Sequence, residues 1–320
     1  MNRAPEVTSW RGHMDYRKYE DYLLREKKMS ENTKNAYIMD LKSFERYLLG
    51  EGSTSATALT DAAEQTGLTD LSDVTSLQVA AYLMQLRQEG KSESTIKRRL
   101  AAMRLYFGYL QKQGLITENP AEDIKAPKTE KKKIEYIEIE DINRLMELPD
   151  DSLKGIRDRA ILELMYATGV RAGELIGMKL SDVNIRMGFL KCVPENGRAR
   201  IIPMGRICRR AMENYIMDAR DKLLRGVESD ILFTNYAGKP ITRQGLWKIL
   251  KEYGQKAELP ISLTPQVIRN SFAVHMLQGG ADIKSLQELM GHEDIAATQA
   301  YLSVVKNRIK DVYDRTHPRA

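Results

Sequence analysis

The chain has 320 residues, 42% of them hydrophobic and 29% charged, which allows real cores and exceeds the length of one average domain. This composition excludes a disordered chain and a small disulfide-stapled scaffold. Lys and Arg number 50 against 44 Asp and Glu, a net charge of +6 that favours a polyanionic partner.

Cys192 and Cys208 are the two cysteines, so neither a disulfide framework nor a cysteine metal quartet is available, and a reducing, cytoplasmic setting fits. His13, His275, His292 and His317 are scattered, with no His-x-x-x-His pair to hold zinc. No metal and no cofactor are expected. The N-terminal stretch lacks a signal-length apolar segment, and no run of about 18 apolar residues predicts a membrane span.

From Tyr16 to Leu49, apolar residues at helical spacing (Tyr19, Tyr22, Leu23; Tyr37, Leu41, Phe44, Leu48), broken near Ser30, predict two helices. The Ser30 and Thr33 hydroxyls either cap the second helix or face a phosphate. Residues Gly50–Ser72, rich in Gly, Ser, Thr, Ala and Asp, read as a loop or insertion. Two more amphipathic helices follow at Thr75–Gln88 and Ser92–Gln113. From Arg87 to Lys112 seven Lys or Arg stand against Glu89 and Glu93, a solvated face or a phosphate-binding one.

From Lys125 to Lys133 the chain has Pro127, five lysines and one glutamate, the signature of a basic linker that lets two bodies engage one duplex. The expected division is a first domain over 15–126, a linker over 127–133 and a second domain over 134–316. Helical patterns continue at Glu140–Met146, Leu153–Thr168 and Arg171–Leu180. Phe189–Val193 and Arg198–Met204, around Asn196-Gly197, predict a hairpin. Helices then follow at Ile207–Leu224, Arg243–Ala257, Pro265–Gln278, Ile283–Met290 and Ile295–Val304. The fold class is mostly α in two domains, with a small antiparallel sheet in the second.

Three stretches carry candidate chemistry: Thr168-Gly169-Val170-Arg171-Ala172-Gly173-Glu174, Thr264-Pro265-Gln266-Val267-Ile268-Arg269-Asn270, and Gly291-His292 with Tyr301 nine residues after the histidine. Breaking a phosphodiester needs a nucleophile, cations for the crowded oxygens and a proton path for the leaving hydroxyl. Arg171 and Arg269 are planar donors suited to phosphate, His292 can donate or exchange a proton, and a tyrosine phenolate can attack phosphorus. Each has an ordinary reading too. Arg171 can pair with Glu174 on a helix, Arg269 can be a solvated helix residue, His292 a helix-terminal cap, and Tyr301 one more core tyrosine.

In this order, behind a basic helical domain, the stretches resemble the tyrosine recombinase (phage integrase) family, especially its Xer-type site-specific recombinases. The Ser-x-x-Thr-x-x-x-Tyr-x-x-Asp-Leu run of Ser30 to Leu41 is similar to the family's core-binding, SAM-like four-helix domain. Thr242-Arg243-Gln244, ahead of a Trp-containing helix, is similar to its catalytic domain.

The resemblance implies strand exchange through a 3′-phosphotyrosyl intermediate on Tyr301, without metal or ATP. Arg171, Gln266, Arg269 and His292 surround the phosphate, and Glu174 orients an arginine. It implies a homotetramer on two duplexes, or one working with a second recombinase. The terminal helix docks on a neighbour or on its own domain. DNA contacts are expected from Thr33, Lys34, Lys91, Ser92, Thr95, Lys97, Arg98, Arg99, Arg243 and Gln244, with Arg243 or Gln244 reading base edges.

Two positions depart from the family pattern. Gln266 stands where a histidine is usual, and Glu195 occupies a turn that usually carries a lysine acid, leaving Lys191 and Arg198 as cations able to reach over. Two rival readings follow: a sequence-specific DNA-binding relative with weakened or lost catalysis, and a type IB topoisomerase acting on one duplex. His275 is read as structural.

Overall fold

The computed structural model describes residues 16–50, 74–128, 133–194 and 199–316, with side chains to residue 305. Glu195, Arg198 and residues 51–72 of the expected insertion lie outside them. The chain forms two compact units, Met1–Lys131 and Lys132–Ala320.

The first unit is helical: α1 (Arg17–Asp21), running on into a wide π turn at Tyr22–Glu26, then α2 (Glu31–Leu48), α3 (Ser76–Gln88) and α4 (Glu93–Lys112). Each of the longer helices begins where a hydroxyl satisfies a free N–H of the first turn. Ser30 accepts from the Thr33 amide, Ser92 from the Thr95 amide, and Thr75 forms a reciprocal capping box with Gln78. The apolar stripes meet in one core of Leu23, Leu41, Phe44, Leu86, Leu100 and Phe107. Tyr19 and Tyr106 pack edge to face there, their ring centroids 4.9 Å apart.

The second unit holds α5 (Ile139–Glu147), α6 (Leu153–Thr168), α7 (Ala172–Gly177), strands β1 (Val183–Asn184), β2 (Phe189–Cys192) and β3 (Arg200–Pro203), then α8 (Arg206–Asn214), α9 (Asp221–Leu224), α10 (Arg243–Lys256), α11 (Pro265–Gln278), α12 (Ile283–Met290) and α13 (Ile295–Thr316). The sheet is antiparallel in the order β1-β2-β3, with Leu190 opposite Ile202 and Cys192 opposite Arg200. The mostly helical class and the small sheet match the sequence reading.

The last helix runs past the expected Val304 to Thr316, and three further details differ from the sequence reading. The sheet gains β1, too short at two residues to show a period. The helix after Arg171 stops at Gly177, because Met178 turns extended and its carbonyl accepts from the Leu232 amide. The helix expected over Ile207–Leu224 passes through a π turn at Tyr215–Arg220, and Tyr215 in that turn donates its hydroxyl to the Leu232 carbonyl. Among the described residues no helix is long and apolar enough to cross a membrane.

Candidate active site

Four chain segments bring the candidate residues together, and glycine ends two of them. Helix α6 closes at Gly169 with φ 58°, where a Cβ would lie 2.4 Å from the Phe272 ring, so no other residue fits. Two residues later Arg171 caps α7. Helix α11 opens with the Thr264 hydroxyl accepting from the Val267 amide and Pro265 in its first turn, and it carries Gln266, Arg269 and Asn270. Helix α12 closes at Gly291, φ 62°, and delivers His292; α13 supplies Thr298 and Tyr301.

Arg269 is only 4% exposed. Its guanidinium donates to the carbonyls of Gly169 and Met290 and faces the His292 Nε2 at 3.0 Å. These partners are neutral. Burial first, then the Arg171 charge, lower its pKa to about 10. A buried cation with neutral neighbours is a place prepared for an anion.

Arg171 is half-exposed. It donates Nη2 to the Gly291 carbonyl at 3.0 Å and Nη1 to Glu174 at 3.2 Å, while its own backbone N–H donates to Glu174 at 2.7 Å. The carboxylate of Glu174, its side chain 5% exposed, is gripped by Arg200 through two bonds of 2.8 and 2.9 Å. Burial alone would raise its pKa, yet the donated bonds and both guanidinium charges hold it at about 2. Arg200 also donates to the Leu289 carbonyl and lies against Gly291, where a Cβ would meet it at 2.9 Å. Glu174 thus ties two arginines to the turn that presents His292.

His292 has its Nδ1 2.8 Å from the buried Thr298 hydroxyl. Burial, then the charges of Arg269, Arg171 and Arg200, press its pKa down to about 4. Tyr301 is 5% exposed, packed with Phe272, Leu286 and Met290, and its hydroxyl donates to Asn270 Oδ1 at 2.9 Å. Burial raises this phenol's pKa against the pull of Arg269 and Arg171. Gln266 donates its Nε2 to the same Asn270 oxygen at 2.7 Å. His275 pairs its Nδ1 with the Tyr166 hydroxyl at 3.0 Å, outside this group.

Lys191 sits on the exposed face of β2, opposite Ile201, whereas its neighbour Cys192 faces inward. Arg243 and Gln244 are exposed at the start of α10, and the Arg243 guanidinium lies beside Gly173, where a Cβ would meet it at 3.1 Å. In the first unit the hydroxyls of Ser30 and Ser92 are engaged as caps, and Thr33 and Thr95 each lie 2.9 Å from their cap's oxygen. Lys34 pairs with Glu31 at 2.7 Å, Lys91 stands 3.9 Å from Glu89, and Lys97 is exposed. Arg98 pairs with the buried Asp40 at 2.7 Å; Arg99 is turned inward to Asp40 and to Ser43 Oγ at 2.9 Å. Three site residues escape the sequence reading: Arg200, Asn270 and Thr298. Strand alternation signals the first, since Arg200 and Ile202 share the face opposite to Ile201.

The Phage integrase family matches residues 135–308, and the Phage integrase N-terminal SAM-like domain matches residues 17–63 and 56–114. The chain belongs to the phage integrase family of tyrosine recombinases. Tyrosine recombinase XerD of Listeria monocytogenes serotype 4b (strain F2365) is 38% identical over 301 residues, 93% of this chain and 97% of its own. Tyrosine recombinase XerD of Halalkalibacterium halodurans is 36% identical over 296 residues, 92% of this chain and 94% of its own. This integrase-family chain is accordingly an Xer-like tyrosine site-specific recombinase. Its fold is similar to that of the XerH site-specific recombinase bound to palindromic difH substrate in a post-cleavage complex: TM-score 0.68, 19% identity, 87% of this chain and 78% of that one.

Proposed function

We propose that this recombinase cleaves and rejoins duplex DNA through a 3′-phosphotyrosyl link on Tyr301, with Arg171, Arg269 and His292 gathered on the scissile phosphate. The observation that carries the reading is Arg269: a buried guanidinium among neutral partners, flanked by His292 and one residue from the Asn270 that contacts Tyr301. A phosphodiester brings the negative charge this pocket lacks.

In the forward step the Tyr301 oxygen bonds to phosphorus as the P–O5′ bond breaks. The phenol proton passes to His292, whose basicity rises once the phosphate charge lies among the arginines. The departing 5′ oxygen takes a proton from Lys191, on the exposed face of the strand that leads into the hairpin turn. A 5′ hydroxyl from another strand then attacks the phosphotyrosine, reforming the phosphodiester and returning the phenol, so the bond energy is conserved without ATP. Glu174 positions Arg171, and Gln266 borders the phosphate site. The acting assembly is four protomers on two duplexes, a homotetramer or one shared with a second recombinase. Thr33, Lys34, Lys91, Ser92, Thr95, Lys97 and Arg98 contact the backbone, while Arg243 and Gln244 face base edges.

A nicked suicide duplex containing a site selected from random sequence tests this. On a denaturing gel the wild-type protein forms a covalent adduct whose peptide maps to Tyr301, and Tyr301→Phe forms none while keeping DNA affinity. An adduct on Tyr301→Phe overturns the nucleophile assignment. Sequence-specific binding without an adduct from the wild-type protein favours a DNA-binding relative with lapsed catalysis, a reading that the missing turn lysine and the engaged Gln266 amide support.

A further inference from the structure

Asn270 stands at the junction of three contacts. Its Nδ2 donates to the Glu135 carbonyl at 2.8 Å, which fixes which end of the amide is which. Its Oδ1 therefore faces the other way, and both lone pairs are taken: Gln266 Nε2 lies at 2.7 Å and the Tyr301 hydroxyl at 2.9 Å. Gln266 and Asn270 are one helical turn apart on α11, so the glutamine holds the asparagine to a single rotamer.

The direction of the tyrosine bond decides what it does. The phenol donates and Asn270 accepts, so the contact exists only while Tyr301 carries its proton. A carboxamide oxygen is far too weak a base to take that proton, and a phenolate would face an acceptor with nothing to donate to it. The tyrosine is also 5% exposed, so reaching phosphorus requires leaving this contact.

We propose that Asn270, steadied by Gln266, is a positioning residue that holds the Tyr301 hydroxyl inward and protonated until it is drawn onto DNA. This rests on Tyr301 being the nucleophile. It also gives Gln266 a task other than phosphate contact, which explains why this chain works with glutamine there: the task needs a donor and no titration. Release of Tyr301 is an equilibrium ahead of chemistry, and weakening the hold shifts it toward the attacking position.

Two readouts test this on the full chain with Asn270→Ala, Gln266→Ala and Tyr301→Phe. The first is single-turnover adduct formation on the nicked duplex at saturating DNA. The second, without DNA, is acetylation of tyrosine hydroxyls by N-acetylimidazole, mapped by mass spectrometry. With wild-type protein Tyr301 resists acetylation. In Asn270→Ala it becomes labelled and adduct forms roughly three- to tenfold faster, the range that loss of one neutral hydrogen bond carries. Gln266→Ala, at an exposed position, moves both in the same direction by less and serves if Asn270→Ala fails to fold. Unchanged labelling with an unchanged or slower adduct rate in these variants overturns the inference. An adduct on Tyr301→Phe instead overturns the phosphotyrosyl reading beneath it.

Discussion

Arg269 Nη2 lies 3.0 Å from His292 Nε2, and a guanidinium can only donate, so the imidazole nitrogen facing it carries no proton. The proton of the neutral ring then sits on Nδ1, where Thr298 Oγ1 at 2.8 Å accepts it. One pair of residues thus fixes the tautomer of a candidate proton carrier and leaves a cation without a countercharge. Both features are suited to a phosphate and poorly suited to an empty pocket.

The first consequence is a pH dependence of stability. In the unfolded chain His292 titrates near 6.5; in the folded chain its pKa is about 4. Between these values the unfolded state binds more protons, so the stabilisation present above pH 6.5 is lost as pH falls toward 4. Thermal unfolding without DNA should show a falling Tm across that window, and His292→Gln should flatten the fall. An identical slope in the variant would assign the acid sensitivity to other groups, Glu174 and its lower window among them.

Arg269→Lys tests whether geometry or charge matters at the buried site. An ammonium cannot span the Gly169 and Met290 carbonyls and a phosphate with one planar fork. Adduct formation should drop by about 10²–10³, the cost of losing one preorganised donor to a developing oxyanion. DNA affinity, spread over many backbone contacts, should change only a few-fold. A rate within threefold of wild type would show that charge alone suffices.

Glu174→Gln leaves Arg200 buried with no carboxylate partner. Removing one member of a buried pair costs about 3–5 kcal/mol, so urea unfolding should show a loss of that order. No loss would show that the Leu289 carbonyl, the amide oxygen that replaces the carboxylate and solvent together satisfy Arg200.

Lys191→Ala tests the proposed proton donor apart from the rest of the site. With an ordinary substrate, cleavage should slow by about 10²–10⁴ if this lysine protonates the 5′ oxygen. With a duplex whose 5′ bridging oxygen is replaced by sulfur, a leaving group needing no proton, the defect should vanish. A defect that persists on the sulfur substrate assigns Lys191 to binding instead.

Much of this protein is legible in its sequence because the signals are local. Helical spacing of apolar residues, hydroxyls at Ser30, Ser92 and Thr264, and glycines at 169 and 291 act within one or two turns, and each marks a boundary the structure keeps. The stretches that hold Arg171, Arg269, His292 and Tyr301, taken in their order, likewise resemble one family on sequence alone. What the sequence leaves open is which neutral or charged partner each side chain meets across the fold. Arg200 reads as an ordinary hairpin residue until its pairing opposite Cys192 turns it toward Glu174. Nothing local tells that Arg99 turns inward until α4 docks on α2 and sets it beside Asp40. Asn270 reads as an unremarkable helix residue until α13 sets the Tyr301 hydroxyl beside it. Propensity and capping are energies between near neighbours along the chain, so the sequence determines the elements and the chemistry they carry. Burial, countercharge and the direction of a hydrogen bond depend on residues that meet only when distant elements pack, and only the tertiary structure decides them.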